Sequence, residues 1–119
     1  MFLTIESLPT RKVAGLPDTA DVFGDGSCLL VSIPGHATGQ LGILARTISG
    51  DALFFVADAA YSARAVREHV PFHPVTRLFT DSPKDAGDTL SLLHAYHARF
   101  PGTLILPTHC PEALARCAF

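Results

Sequence analysis

The 119-residue chain has no tryptophan, one methionine and two tyrosines, and only 17% of its residues are charged. With a net charge of −2 it offers no basic stripe to follow a phosphate backbone, so nucleic acid is excluded as an expected partner. Cysteine is scarce too. Cys28, Cys110 and Cys117 are an odd number and contain no CxxC, which points to neither a disulfide framework nor a thiolate zinc knuckle. A reducing compartment fits that usage. Long hydrophobic runs are also missing: the cleanest near the middle, ALFFVA at 52–57, is six residues, far short of a membrane span. The start, MFLTIESLPT, lacks the basic segment of a signal peptide. The expectation is a cytoplasmic protein with no membrane partner. No Gly-x-Ser-x-Gly elbow surrounds Ser27, Ser32 or Ser62, and GDGS lacks the lysine and glycine spacing of a phosphate-binding loop.

What is present is a chain that is 48% apolar and long enough for one hydrophobic core, so residues 1–119 are expected to form a single domain. Residues 1–26 are rich in Pro, Gly and Asp and read as a mostly irregular lead-in with one short strand, closing on an Asp-Gly turn in DVFGDGS. Three apolar runs follow, CLLVSI (28–33), LGILARTI (41–48) and ALFFVA (52–57), spaced as an antiparallel meander. The third barely alternates with polar residues, which predicts a strand covered on both faces and therefore a second layer. SARAVREHV reads as a short helix stopped by Pro71. SPKDAGDTLSLLHAYHARF is the clearest helix: Ser82 caps it, Pro83 fits its first position, and Leu92, Leu93, Tyr96 and Phe100 make its apolar stripe. TLILPTH reads as a buried strand and PEALARCAF as a last helix. The predicted order is β-β-β-α-α-β-α, an α/β (α+β) fold with a mostly antiparallel sheet and helices on one face.

Three polar residues stand where predicted strands end: His36 after the first run, Asp58 after the third and His109 after the last. Imidazole and carboxylate are the donors that zinc and similar divalent metals accept, and loops held by a rigid sheet are where such donors gather. Each residue has a plainer reading as well. His36 can be a solvated turn residue, Asp58 can cap the helix that follows, and His109 can simply precede a helix start. His69 and His73 flank Pro71, which argues against a helical metal pair, while His94 and His97 lie on the strongest helix with no carboxylate one turn away. Cys110 fits a small buried hydrophobe.

The motifs PGHATGQLGI, FFVADAAY and LILPTHCPE, in that order, resemble the C-terminal half of the metallo-β-lactamase-fold hydrolases, most nearly the N-acyl-homoserine lactonase-like branch. The resemblance covers roughly residues 20–115. It implies half of an αββα sandwich and hydrolysis of a small-molecule ester or lactone at a two-metal site, with Zn2+ as the expected metal. His36 then matches the histidine of the first metal, Asp58 the bridging carboxylate and His109 the histidine of the second metal. Tyr61 matches the tyrosine that leans over the metals toward the substrate. The stretch AAYSARAVREHVPFHP would line one wall. The family's His-x-His-x-Asp-His motif belongs to its N-terminal half, and this sequence contains no His-x-His. The resemblance therefore implies a chain that needs a missing N-terminal half or self-association to complete the site. The alternative is a non-catalytic half-domain that binds itself or a partner.

Overall fold

The structure, a computed structural model, describes residues 5–116. Cys117 and the end of the expected last helix lie outside the described residues. Six strands form one sheet in sequence order: β1 (Thr10–Arg11), β2 (Thr19–Asp21), β3 (Cys28–Ser32), β4 (Leu41–Arg46), β5 (Ala52–Ala57) and β6 (Leu104–Pro107). The first four pairings are antiparallel, whereas β5 and β6 run parallel. A parallel pair needs a crossover, and residues 58–103 supply it with α1 (Ala63–Glu68), a 3₁₀ segment (Pro74–Phe79) and α2 (Pro83–Arg99). α3 (Pro111–Arg116) follows β6.

The lead-in contributes two strands, of two and three residues, where the sequence suggested one. Their anchor is Asp21, 1% exposed, which accepts from Arg11 Nε at 2.8 Å and from the backbone N–H groups of Gly24 and Gly26 at 3.0 Å each. Burial pushes its carboxyl up, but the Arg11 guanidinium and the two N–H groups outweigh that, leaving it below the ordinary carboxylate value.

Alternation along the strands sorts their side chains. Leu29, Val31, Ile33, Leu44, Phe54, Val56 and Ile105 face α1 and α2, joining Val66, Leu90, Leu93 and Tyr96 in the main core. Phe54 meets Tyr96 edge to face with ring centroids 5.6 Å apart. Burial of each large side chain there stabilises by roughly 1.5–3 kcal/mol. On the other face Leu53 and Leu106 pack with Cys110 and Ala113 at the β6 edge, while Ile43 and Phe55 stay 40% and 42% exposed. The buried Cys110 thiol accepts from the Ala63 N–H, as a small core residue would.

The helices begin as their sequences specify. Ser62 and Ser82 accept from the backbone N–H groups of Ala65 and Asp85, at 3.0 and 3.2 Å. α1 ends before Pro71 has any effect, because His69 adopts a left-handed φ of 52° and caps the helix with its N–H on the Ala65 carbonyl. Among the described residues no helix is long and apolar enough to cross a membrane.

Candidate metal and substrate site

β3, β5 and β6 all end at one edge of the sheet, and each delivers one donor there. His36 lies in the Pro34-Gly35-His36 turn after β3. Gly35 has φ 138°, and a Cβ on it would fall 2.3 Å from backbone atoms of Ala86, so the turn lies directly against the start of α2 and only glycine fits. The contact is hydrogen-bonded throughout: Thr89 Oγ1 donates to the Pro34 carbonyl at 2.7 Å, Ser82 N–H to the Gly35 carbonyl at 2.9 Å, and Asp81 N–H to the His36 carbonyl at 3.3 Å.

Asp58 follows a register shift between Phe55 and Ala57, where β5 departs from β6. Ala57 takes a left-handed φ of 48°, a conformation that costs a residue with a Cβ on the order of 1 kcal/mol. The irregularity turns the end of the strand and re-aims the next side chain, a common use of bulges beside functional sites. The Thr108 N–H donates to the Ala57 carbonyl at 3.1 Å, tying the loop that carries His109 to the residue before Asp58. Asp58 does not cap α1, a role taken by Ser62.

The three donors converge. Asp58 Oδ2 is 3.5 Å from His36 Nε2, and Asp58 Oδ1 is 3.7 Å from His109 Nε2. Both separations are long for hydrogen bonds. Two N/O donors on one tetrahedral zinc at bond lengths near 2.0–2.1 Å lie about 3.3–3.4 Å apart, so each imidazole–carboxylate pair is spaced within a few tenths of an ångström of that edge. The two oxygens face different imidazoles, as a carboxylate shared between two cations requires. The donor set thus fits two metals pairwise, with two donors for each, whereas a catalytic zinc takes three protein ligands. Consistent with this, no group of three or more His, Cys, Asp or Glu among the described residues could hold a metal ion.

A cavity of about 320 Å³ opens over these donors, lined by His36, Asp58, Ala60, Tyr61, Phe72, Thr76, Phe79, Thr80, Ala86 and His109. That volume lies at the small end of ligand pockets. Tyr61 is half exposed and packs edge to face on Phe72 at 4.9 Å. Phe72 belongs to the wall stretch read from the sequence. Thr76, Phe79 and Thr80 fall outside that stretch, on or beside the 3₁₀ segment; the signal that could have found them is the pair of adjacent apolar residues Leu78 and Phe79, which no predicted helix or strand uses. The remaining histidines stand apart from the site. His69 and His94 stack at 4.8 Å, His94 Nδ1 sits 2.8 Å from the Val66 carbonyl, and His73 Nδ1 accepts from the Val75 N–H.

No protein-family model matches the chain. Solved structures match it well. An N-acyl homoserine lactone hydrolase, with N-hexanoyl-L-homoserine bound at its catalytic metal centre, superposes with a TM-score of 0.63 at 20% identity, over 83% of this chain and 36% of that one. The hydrolase AbOPH of the beta lactamase superfamily gives 0.57 at 21% identity, over 74% and 28%. The chain has part of the metallo-β-lactamase fold. Sequence relatives of this metallo-β-lactamase-like chain agree. The gamma-lactamase MBL2 of Gibberella moniliformis is 36% identical over 94 residues, 77% of this chain and 35% of that protein. The metallo-hydrolase mfmC of Annulohypoxylon moriforme is 36% identical over 83 residues, 64% of this chain and 22% of its own length. The chain therefore spans between about a fifth and a third of these relatives.

Proposed function

We propose that this chain is the C-terminal half of a zinc-dependent hydrolase that opens an ester or lactone, and that it acts once an N-terminal half supplies the remaining metal ligands. The observation that carries the reading is Asp58, whose two oxygens face two imidazoles at near-ligand spacing. His36 and Asp58 would hold one zinc, Asp58 and His109 the other. A pair of such ions supplies Lewis acidity and an activated water. The chain's own groups orient the reaction. Asp58 would fix the distance between the two half-sites, and Tyr61, which lines the cavity, would donate its hydroxyl hydrogen bond to the substrate carbonyl or leaving group. Phe72 and Phe79 exclude water from one side.

The open face of the sheet supports the need for a second half. A groove of about 580 Å³ lined by Leu41, Ile43, Phe55, Leu106 and Leu114 also includes Ala57, Pro107 and Thr108, which adjoin Asp58 and His109. A body seated there would border the donors. The same apolar face favours the second reading, a half-domain that associates with itself without catalysis.

Zinc titration against a chromophoric chelator, followed by an assay on N-hexanoyl-homoserine lactone with a co-expressed half carrying His-x-His-x-Asp-His, tests the proposal. We expect zinc binding that Asp58→Ala abolishes, and lactone opening only when both halves are present. Zinc affinity unchanged in Asp58→Ala overturns it, and a stable, metal-free homodimer gives the second reading its support.

A further inference from the structure

The geometry points to Asp81 as a positioning residue for His36. This rests on the proposal that His36 is a metal donor, and adds to it the question of what aims the imidazole. The His36 side chain is 44% exposed, and its Nε2 lies 3.5 Å from Asp58 Oδ2, the carboxylate it would share a metal with. The turn that carries His36 sets where the imidazole starts from, so what holds that turn bears on where the ring points.

That backbone is gripped on both flanks of His36 by side chains far away in sequence. Before His36, Thr89 Oγ1 donates to the Pro34 carbonyl at 2.7 Å. After it, Asp81 Oδ2 accepts from the Thr38 backbone N–H at 2.8 Å and from Thr38 Oγ1 at 3.2 Å. Asp81 also donates its own N–H to the His36 carbonyl. It thus bonds His36 itself and the residue two beyond it, the latter across 43 positions of sequence.

The two grips differ in what they restrain. Thr89 is 5% exposed on α2 and fixes the entry of the turn to the helical layer. Asp81 is exposed and lies in the link between the 3₁₀ segment and α2, so it contributes little to the core; what it orders is the exit of the turn, residues 36–38. Outer groups that orient metal ligands are worth about tenfold to a hundredfold in metal affinity. Loss of Asp81 therefore weakens zinc binding through His36 while leaving the fold in place.

The test uses Asp81→Ala and Asp81→Asn in the full chain, with three readouts: zinc affinity by chelator competition, hydrogen exchange of the Thr38 amide, and the NMR ring-proton signals of His36. In Asp81→Ala we expect affinity to fall at least tenfold, Thr38 exchange to accelerate and the His36 signals to shift, with far-UV circular dichroism unchanged. Asp81→Asn keeps an acceptor for the Thr38 N–H and should recover most of the affinity. A folded Asp81→Ala with wild-type Thr38 exchange and His36 signals overturns the positioning role, whatever zinc does. A wild-type chain that binds no zinc, with Thr38 and His36 still perturbed in Asp81→Ala, overturns the metal reading and supports the positioning. Zinc affinity unchanged in Asp81→Ala when the wild type binds zinc overturns the inference.

Discussion

The two faces of the sheet are built from the same strands and are apolar on both sides, yet they have opposite fates. Phe54 and Phe55 are neighbours on β5; the first is fully buried beneath Tyr96 and the second is 42% exposed. Composition does not separate them, because strand alternation alone sends one toward α1 and α2 and the other away. What separates the faces is the presence of a covering layer. The helical face holds the main core, and the other keeps Ile43 and Phe55 40% and 42% exposed beside the smaller cluster of Leu53, Leu106, Cys110 and Ala113.

The sharpest way to break that comparison is Phe54→Ala, which should cost about 3–5 kcal/mol by emptying the space under Tyr96. Urea denaturation of the chain reads it, and a loss below about 1 kcal/mol would show that the helical face does not dominate. A smaller effect comes from acid. His97 on α2 sits half-buried, and burial first, then the charges of Arg67 and the other nearby bases, holds its pKa below the ordinary 6.5. The unfolded chain then gains a proton near pH 6.5 while the folded chain stays neutral, so stability falls as pH drops below 6.5 and levels off once the folded histidine is protonated. His97→Gln should flatten that part of the pH profile of the urea midpoint. Smallest in stability is Phe55→Asp, expected within about 0.5 kcal/mol of wild type for the monomer. Light scattering should nevertheless show reduced self-association, and a loss comparable to that of Phe54→Ala would erase the distinction between the faces.

Much of this architecture was readable in advance, for identifiable reasons. The strands from Cys28 to Ala57 announce themselves as apolar runs broken by Pro-Gly and Ser-Gly-Asp, and α2 begins at Ser82-Pro83, where the cap and first-turn proline place it. The lack of polar alternation in ALFFVA predicted a strand covered on both faces; α1 and α2 cover Phe54 and Val56 on one, whereas Phe55 on the other stays 42% exposed because no layer of the described residues lies over it. The convergence of His36, Asp58 and His109 was legible because each ends a strand, and strands of one sheet end near one another. The short β1 and β2 were not fully legible, since two or three residues carry no period and Asp21 depends on partners from Arg11 to Gly26. Asp81 left no local trace at all. Its role is a contact with Thr38 across the fold, and an exposed aspartate before a serine cap looks like any other helix entrance.

The parallel pairing of β5 with β6 has a consequence for the order in which the chain assembles. The hairpins joining β3, β4 and β5 close short loops at small entropic cost, whereas β6 can reach β5 only after residues 58–103 have been folded back. The end of β5 therefore comes into place with the meander, the His36 turn is fixed only when the start of α2 docks on it, and His109 arrives with the last strand. During folding, the carboxylate of Asp58 waits for its second imidazole until the crossover has closed.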